Sequence, residues 1–223
     1  MAELTLILGS KNYCLWPVSA WLCLRTAGLE FDEIILPFGE PDSRERFCDY
    51  SPTGRVPVLK HGDLSVWDSA AVCEYVAELA PEARLWPEDK SHRAIARSVV
   101  AEMHSHKASP LHDFLPGNVR RRVTGVALPA NVKEVTGRMT GIWTECRRLY
   151  GQEGPFLFGH FTVADAVQAH MVNRFVTYGI ELEPEAAEYR DAMLAYPPMV
   201  EWNAAAGAEV SSFAPSDNAF PNS

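Results

Sequence analysis

The chain has 223 residues, 47% hydrophobic and 22% charged, with a formal net charge of −9. That composition suits one or two globular domains, and an acidic chain is a poor partner for nucleic acid, whose phosphates need clustered Lys and Arg. No apolar run approaches the roughly 18–20 residues that a membrane span requires. The five cysteines, Cys14, Cys23, Cys48, Cys73 and Cys146, include no CxxC pair, so neither a zinc site nor a disulfide framework is expected.

Leu4–Leu8, LTLIL, reads as a first strand rather than a signal peptide, because no basic leader or small-residue cleavage site accompanies it. Trp16, Pro17 and Val18 open a helix, since proline is tolerated in a first turn, and Gly28 ends it. Residues 31–36 read as a second strand. Residues 56–59 and 64–67 read as two short strands, with His61-Gly62-Asp63 as a three-residue hairpin loop. From Ser69, apolar residues recur at helical spacing. The order is β-α-β followed by β-β-α.

Residues 81–90 are rich in Pro, Glu and Asp and read as a linker. The chain beyond shows helical patterns only, at 95–106, 132–150, 163–175, 186–194 and 200–206. The cluster Arg120, Arg121 and Arg122 is expected to be a solvated helix end. The tail from residue 211 is expected to be loosely held.

Two short segments carry the chemistry. In SPTGRVPVL, residues 51–59, Pro57 begins a strand after a Gly-Arg-Val turn. One reading is an edge strand whose first residue needs no N–H donor. The other is a cis-proline that turns the Val56 backbone outward to pair with an extended peptide. Asp68 and Ser69 then start a helix. Either can cap it. The same helix end can hold a carboxylate on its free N–H groups and the Ser69 hydroxyl, while Asp68 meets an ammonium group. That pairing suits an α-amino acid head group.

With these motifs the chain resembles the glutathione S-transferase family over essentially its whole length. The resemblance implies a thioredoxin-like α/β domain (1–80), a linker (81–91) and an all-α domain (92–223). It implies glutathione as co-substrate, with Val56 pairing the cysteinyl backbone, Arg55 and Pro57 flanking it, and Asp68 and Ser69 holding the γ-glutamyl end. Thr162-Val163-Ala164-Asp165 has capping-box spacing, with Phe161 before it and Ala166 as a small staple partner. The family starts the buried central helix of its second domain in this way.

The thiol end is more open. A donor or helix N-terminus near the sulfur lowers a thiol pKa, and the loop of residues 10–16, SKNYCLW, is the natural place. It resembles a bacterial subgroup with an N-Y-S-S-W loop, except that Cys14 and Leu15 replace the two serines. Residues 101–122 resemble the same subgroup. Three candidates stand side by side: Asn12 donating its amide N–H, Tyr13 donating its hydroxyl, and Cys14 forming a mixed disulfide. Cys14 as an apolar filler and Tyr13 as a buried loop aromatic are the competing readings. Ser10 is expected to be a turn residue. Lys11 is expected to be solvated, with attraction of an anionic group as the alternative.

His104 and His106 lie about 200° apart on a helix and cannot share a metal ion easily, whereas Glu102 and His106 can; no metal is expected. The resemblance implies a second-substrate wall drawn from Met103, His104, His106, Lys107 and Phe114. It also implies a homodimer and transfer of glutathione thiolate to a small electrophile, and the cysteine usage fits a reducing cytoplasm. A glutathione-dependent isomerase, an ether-cleaving lyase, a sulfur-donating enzyme and a non-catalytic glutathione-binding protein are the alternatives.

Overall fold

Every second residue of a strand faces the same way, yet four of the five positions in LTLIL are buried. Such a strand belongs in the middle of a sheet covered on both faces. In the computed structural model, which describes residues 3–36, 42–105 and 109–209, it occupies that place. β1 (Leu4–Leu8) pairs in parallel with β2 (Phe31–Ile35) and antiparallel with β3 (Val58–His61), which pairs antiparallel with β4 (Leu64–Trp67). The sheet order is β2-β1-β3-β4.

α1 (Pro17–Thr26) is apolar on nearly every side, and each residue from Pro17 to Leu24 is buried. It packs against α3 (Ser69–Leu79) and α7 (Val163–Thr177). α7 is itself buried along its length except at Val176. A helix enclosed on all sides marks the centre of a fold. Around it stand α4 (Lys90–His104), α5 (Ser109–Phe114), α6 (Ala130–Tyr150), α8 (Pro184–Ala195) and α9 (Pro197–Ala208). Asp89 caps α4, its Oδ1 accepting from the N–H groups of Ser91 and His92 at 2.8 Å each.

The expected capping box is present, and it reaches further than a cap. Asp165 Oδ2 accepts from Thr162 N–H and from the Thr162 hydroxyl, both at 2.9 Å. Its Oδ1 accepts from Leu157 N–H at 3.0 Å and the Tyr189 hydroxyl at 3.1 Å. Burial pushes this carboxyl up to about 6, against the pull of those four donors. The Phe161 ring before the box stacks on Tyr196 at a centroid separation of 4.4 Å, which offers far more surface than the Ala166 methyl group.

Several elements differ from the sequence reading. α2 (Ser43–Cys48) was not expected, because SRERFC is short and polar and buries little besides Phe47. α5 was not expected either. β3 begins at Val58 rather than Val56, and His61 pairs with Leu64, so the hairpin loop is the two residues Gly62 and Asp63. Gly62 has φ +56°, which a two-residue hairpin turn requires. The stretch after α3 forms a 3-10 turn at Pro81–Ala83, buries Leu85, and accepts Val163 N–H on the Leu85 carbonyl at 2.9 Å. Arg120, Arg121 and Arg122 lie in irregular chain, not at a helix end. His106, Lys107 and the tail from residue 211 lie outside the described residues.

Candidate active site

The helix α3 begins abruptly. Asp68 holds φ +75°, and its Oδ1 accepts from Ala70 N–H at 2.9 Å. That leaves the first turn of α3 open beside Ser69, which is buried with its hydroxyl turned toward α4. His104, the last residue of α4, reaches back to this point. Its Nε2 stands 3.4 Å from Ser69 Oγ and its Nδ1 3.8 Å from Asp68 Oδ1. Burial lowers the His104 pKa, and Asp68 partly offsets the effect.

These residues line a cavity of about 940 Å³ together with Trp16, Thr53, Arg55, Val56, Pro57, Trp67, Met103, Ser105, His112 and Asp113. The Val56–Pro57 peptide bond is cis. All five residues expected at the peptide-binding end, Arg55, Val56, Pro57, Asp68 and Ser69, therefore line the one cavity. Met103 and His104 line it as well. Phe114 is packed against the hydrophobic core and is not among the lining residues.

The loop of residues 10–16 sends only Trp16 into the cavity. Asn12 is buried elsewhere: its Oδ1 accepts from Arg120 N–H at 2.9 Å, and its own N–H donates to Glu209 Oε2 at 2.9 Å. The Tyr13 hydroxyl accepts from Arg120 Nη2 at 3.3 Å. Ser10 is the expected turn residue, its Oγ accepting from Tyr13 N–H at 3.1 Å and donating to Glu209 at 2.8 Å. Burial pushes the Cys14 thiol up to about 12, although Arg174 and the Trp16 N–H pull the other way. Lys11 is not solvated. It is buried, paired with the Glu33 carboxylate, and lies 5.3 Å from each of the Trp21 and Trp202 ring centroids.

Behind the cavity lies a ring cluster that the sequence pattern did not reveal. Trp16 contacts His104, His112 and His170 with centroid separations of 5.1, 5.2 and 4.6 Å. Arg174 lies beneath them, donating Nε–H to the Leu115 carbonyl at 2.9 Å. Burial, then Arg174, lowers His112 to about 3 and His170 well below its ordinary value. The spacing of His170 and Arg174, one helical turn apart on α7, is the sequence signal that was available.

Among the described residues no three His, Cys, Asp or Glu side chains are grouped to hold a metal ion. Glu102, one of the two residues able to share an ion, instead accepts from Arg138 at 2.6 and 2.7 Å. Among the described residues the cavity offers one cation in Arg55, carboxylates in Asp68 and Asp113, hydroxyls in Thr53, Ser69 and Ser105, and imidazoles held neutral. An extended zwitterion with an α-amino acid at one end fits that set.

Comparison with known proteins agrees with this geometry. Residues 13–79 match the family model for the glutathione S-transferase N-terminal domain. Glutathione S-transferase 1 of Dianthus caryophyllus is 38% identical over 86 residues, 39% of this chain and 38% of that protein. Maleylacetoacetate isomerase of Rattus norvegicus is 30% identical over 105 residues, 47% of this chain and 48% of that protein. The chain thus spans about half or less of the length of these curated relatives. A Burkholderia glutathione transferase homolog, solved with bound glutathione, superposes over 92% of this chain and 99% of its own at 25% identity and a TM-score of 0.68. Residues 13–79 thus match the N-terminal domain of the glutathione S-transferase family, and the fold of the chain, a thioredoxin-like α/β region followed by helices, is that of the superposed transferase homolog. Among the described residues no helix is long and apolar enough to cross a membrane.

Proposed function

We propose that this protein binds glutathione in the cavity between α3 and α4 and transfers its thiolate to a small, hydrophobic or aromatic electrophile. The observation that carries this reading is the convergence of Val56 and Pro57 with Asp68 and Ser69 on a cavity that Trp16, at the start of α1, also lines. The γ-glutamyl carboxylate is held on Ser69 and the α3 N-terminus, its ammonium on Asp68, and the cysteinyl backbone on Val56. The sulfur then faces Trp16. Its proton leaves to solvent, the thiolate forms a carbon–sulfur bond, and the leaving group departs with its electron pair. In this reading residues 1–80 form the glutathione-binding domain and 92–223 supply the electrophile wall, with Met103 and His104 as its described members. A cytoplasmic homodimer goes with the reading.

Asn12, Tyr13 and Cys14 remain candidates for thiol activation, but their hydrogen bonds and burial favour a role in shaping the loop. Two relatives bear other names: maleylacetoacetate isomerase, and dichloromethane dehalogenase of Methylophilus leisingeri, 42% identical over 55 residues. The first of these favours isomerisation as the second reading. Measuring glutathione during turnover of an aryl halide and of a cis-enone decides between them. Transfer consumes one glutathione per product and acts on the halide; isomerisation regenerates it and acts on the enone.

A further inference from the structure

Arg174 is buried, yet no carboxylate pairs with it among the described residues. Among the described residues its guanidinium donates to the Leu115 and His170 carbonyls and to His170 Nδ1 at 3.1 Å, all neutral acceptors. The titratable groups that act on it are Tyr178 and Cys14, both protonated and neutral near pH 7. A buried charge without a counter-ion is costly, and such groups concentrate at functional sites.

Its position gives that charge a target. The His170 ring lies 4.6 Å from Trp16 and 5.1 Å from His112, and both of those line the cavity. We infer that Arg174 is a positioning residue that supplies positive potential to the cavity at Trp16 and His112, where it stabilises the anionic sulfur of a bound thiol. This rests on the glutathione reading above. The charge acts through a low-dielectric layer of rings, where a Coulomb interaction is screened far less than in water. The same field disfavours a proton on His112, so that ring stays neutral and does not compete for the sulfur. Among the described residues, the other groups facing the cavity are His104 from α4, Asp113 from α5, Asp68 before α3 and Arg55 before β3, while Cys14 of the loop acts on Arg174 from outside the cavity wall. Asp68 and Asp113 oppose a thiolate; Arg55 and Arg174 favour it.

The test is the ultraviolet absorption of thiolate in the glutathione complex as a function of pH, in the wild type and in Arg174→Gln and Arg174→Lys. Binding of S-methylglutathione, which has no ionisable thiol, serves as the control. The wild-type complex should show a thiol pKa below that of free glutathione. Arg174→Gln should raise it by about one pH unit, Arg174→Lys should keep most of the effect, and S-methylglutathione should bind all three alike. An unshifted wild-type thiol, or an unchanged pKa in Arg174→Gln, overturns the proposal. If neither glutathione nor its S-methyl form binds, the glutathione reading fails instead. The field is then read from His112 by histidine NMR: its pKa rises in Arg174→Gln if the proposal holds and stays put if it is wrong.

Discussion

In the proposed glutathione site, Ser69 is the residue on which the binding end depends most. Its hydroxyl is buried at the open turn of α3, and a hydrogen bond to a charged group is worth about 1.5–3 kcal/mol. Ser69→Ala should therefore weaken glutathione binding about tenfold or more without changing the unfolding midpoint by more than a few degrees. Titration and thermal melts of the same sample check both halves. Cys14 is the opposite case. With its thiol pushed up to about 12 and its residue absent from the cavity wall, it is a poor nucleophile at neutral pH. Cys14→Ser should retain activity within about twofold, whereas loss of thiol exchange and conjugation together would assign the chemistry to that sulfur. That Val56, Asp68 and Ser69 meet at one cavity was legible in the sequence, because the proline turn and the helix start are signalled by a few neighbouring residues. The sequence did not reveal where Asn12 and Tyr13 point, because Arg120 and Glu209, 107 to 197 positions away, decide that.

At the scale of elements, the long periodic helices and the apolar strands were legible, and the short polar ones were not. α6 and α7 have enough turns for an apolar pattern to stand out. α2 and α5 have six residues each and are held by what they pack against. The start of α7 was readable as a capping box, but its link to Tyr189 on α8 was not, since nothing local signals a contact 24 residues away. That link makes Asp165 more than a cap. In Asp165→Asn one carboxylate oxygen becomes an NH₂ that faces N–H or O–H donors, leaving buried groups unpaired. The expected loss is about 3 kcal/mol or more, measured by urea unfolding. A loss below about 1 kcal/mol, the range of an ordinary cap, would show that the second pair of bonds is not formed in solution.

For the whole molecule, burial of rings around Trp16 sets the response to acid. His104, His112 and His170 have folded pKa values below the ordinary 6.5, His112 at about 3. As pH falls through 6.5 the unfolded chain takes up these protons before the folded one, so stability present above that pH is lost on acidification. Asp165 acts in the reverse sense, because its raised value, about 6, makes the folded state bind its proton first between about 6 and 3.8. Three groups outweigh one, so the unfolding midpoint should drop between pH 7 and pH 5. His112→Gln should flatten that drop. A midpoint that stays level or rises would mean that the rings are solvated.

The domain order was visible in the pattern alone, strands and helices first and helices afterwards. The depth of the connection between the two parts was not. Trp16, His104, His112 and His170 come from α1 and its loop, α4, α5 and α7, and their shared cluster exists only once the helices stack on the first domain. The central claim is that the cavity on this junction holds glutathione. Calorimetric titration with glutathione at pH 7 tests it most directly. The account predicts one site per chain with a Kd below about 1 mM, at least −4 kcal/mol of binding free energy, and marked weakening in Ser69→Ala. No binding heat at millimolar glutathione across several temperatures, or equal affinity in the wild type and Ser69→Ala, would contradict it.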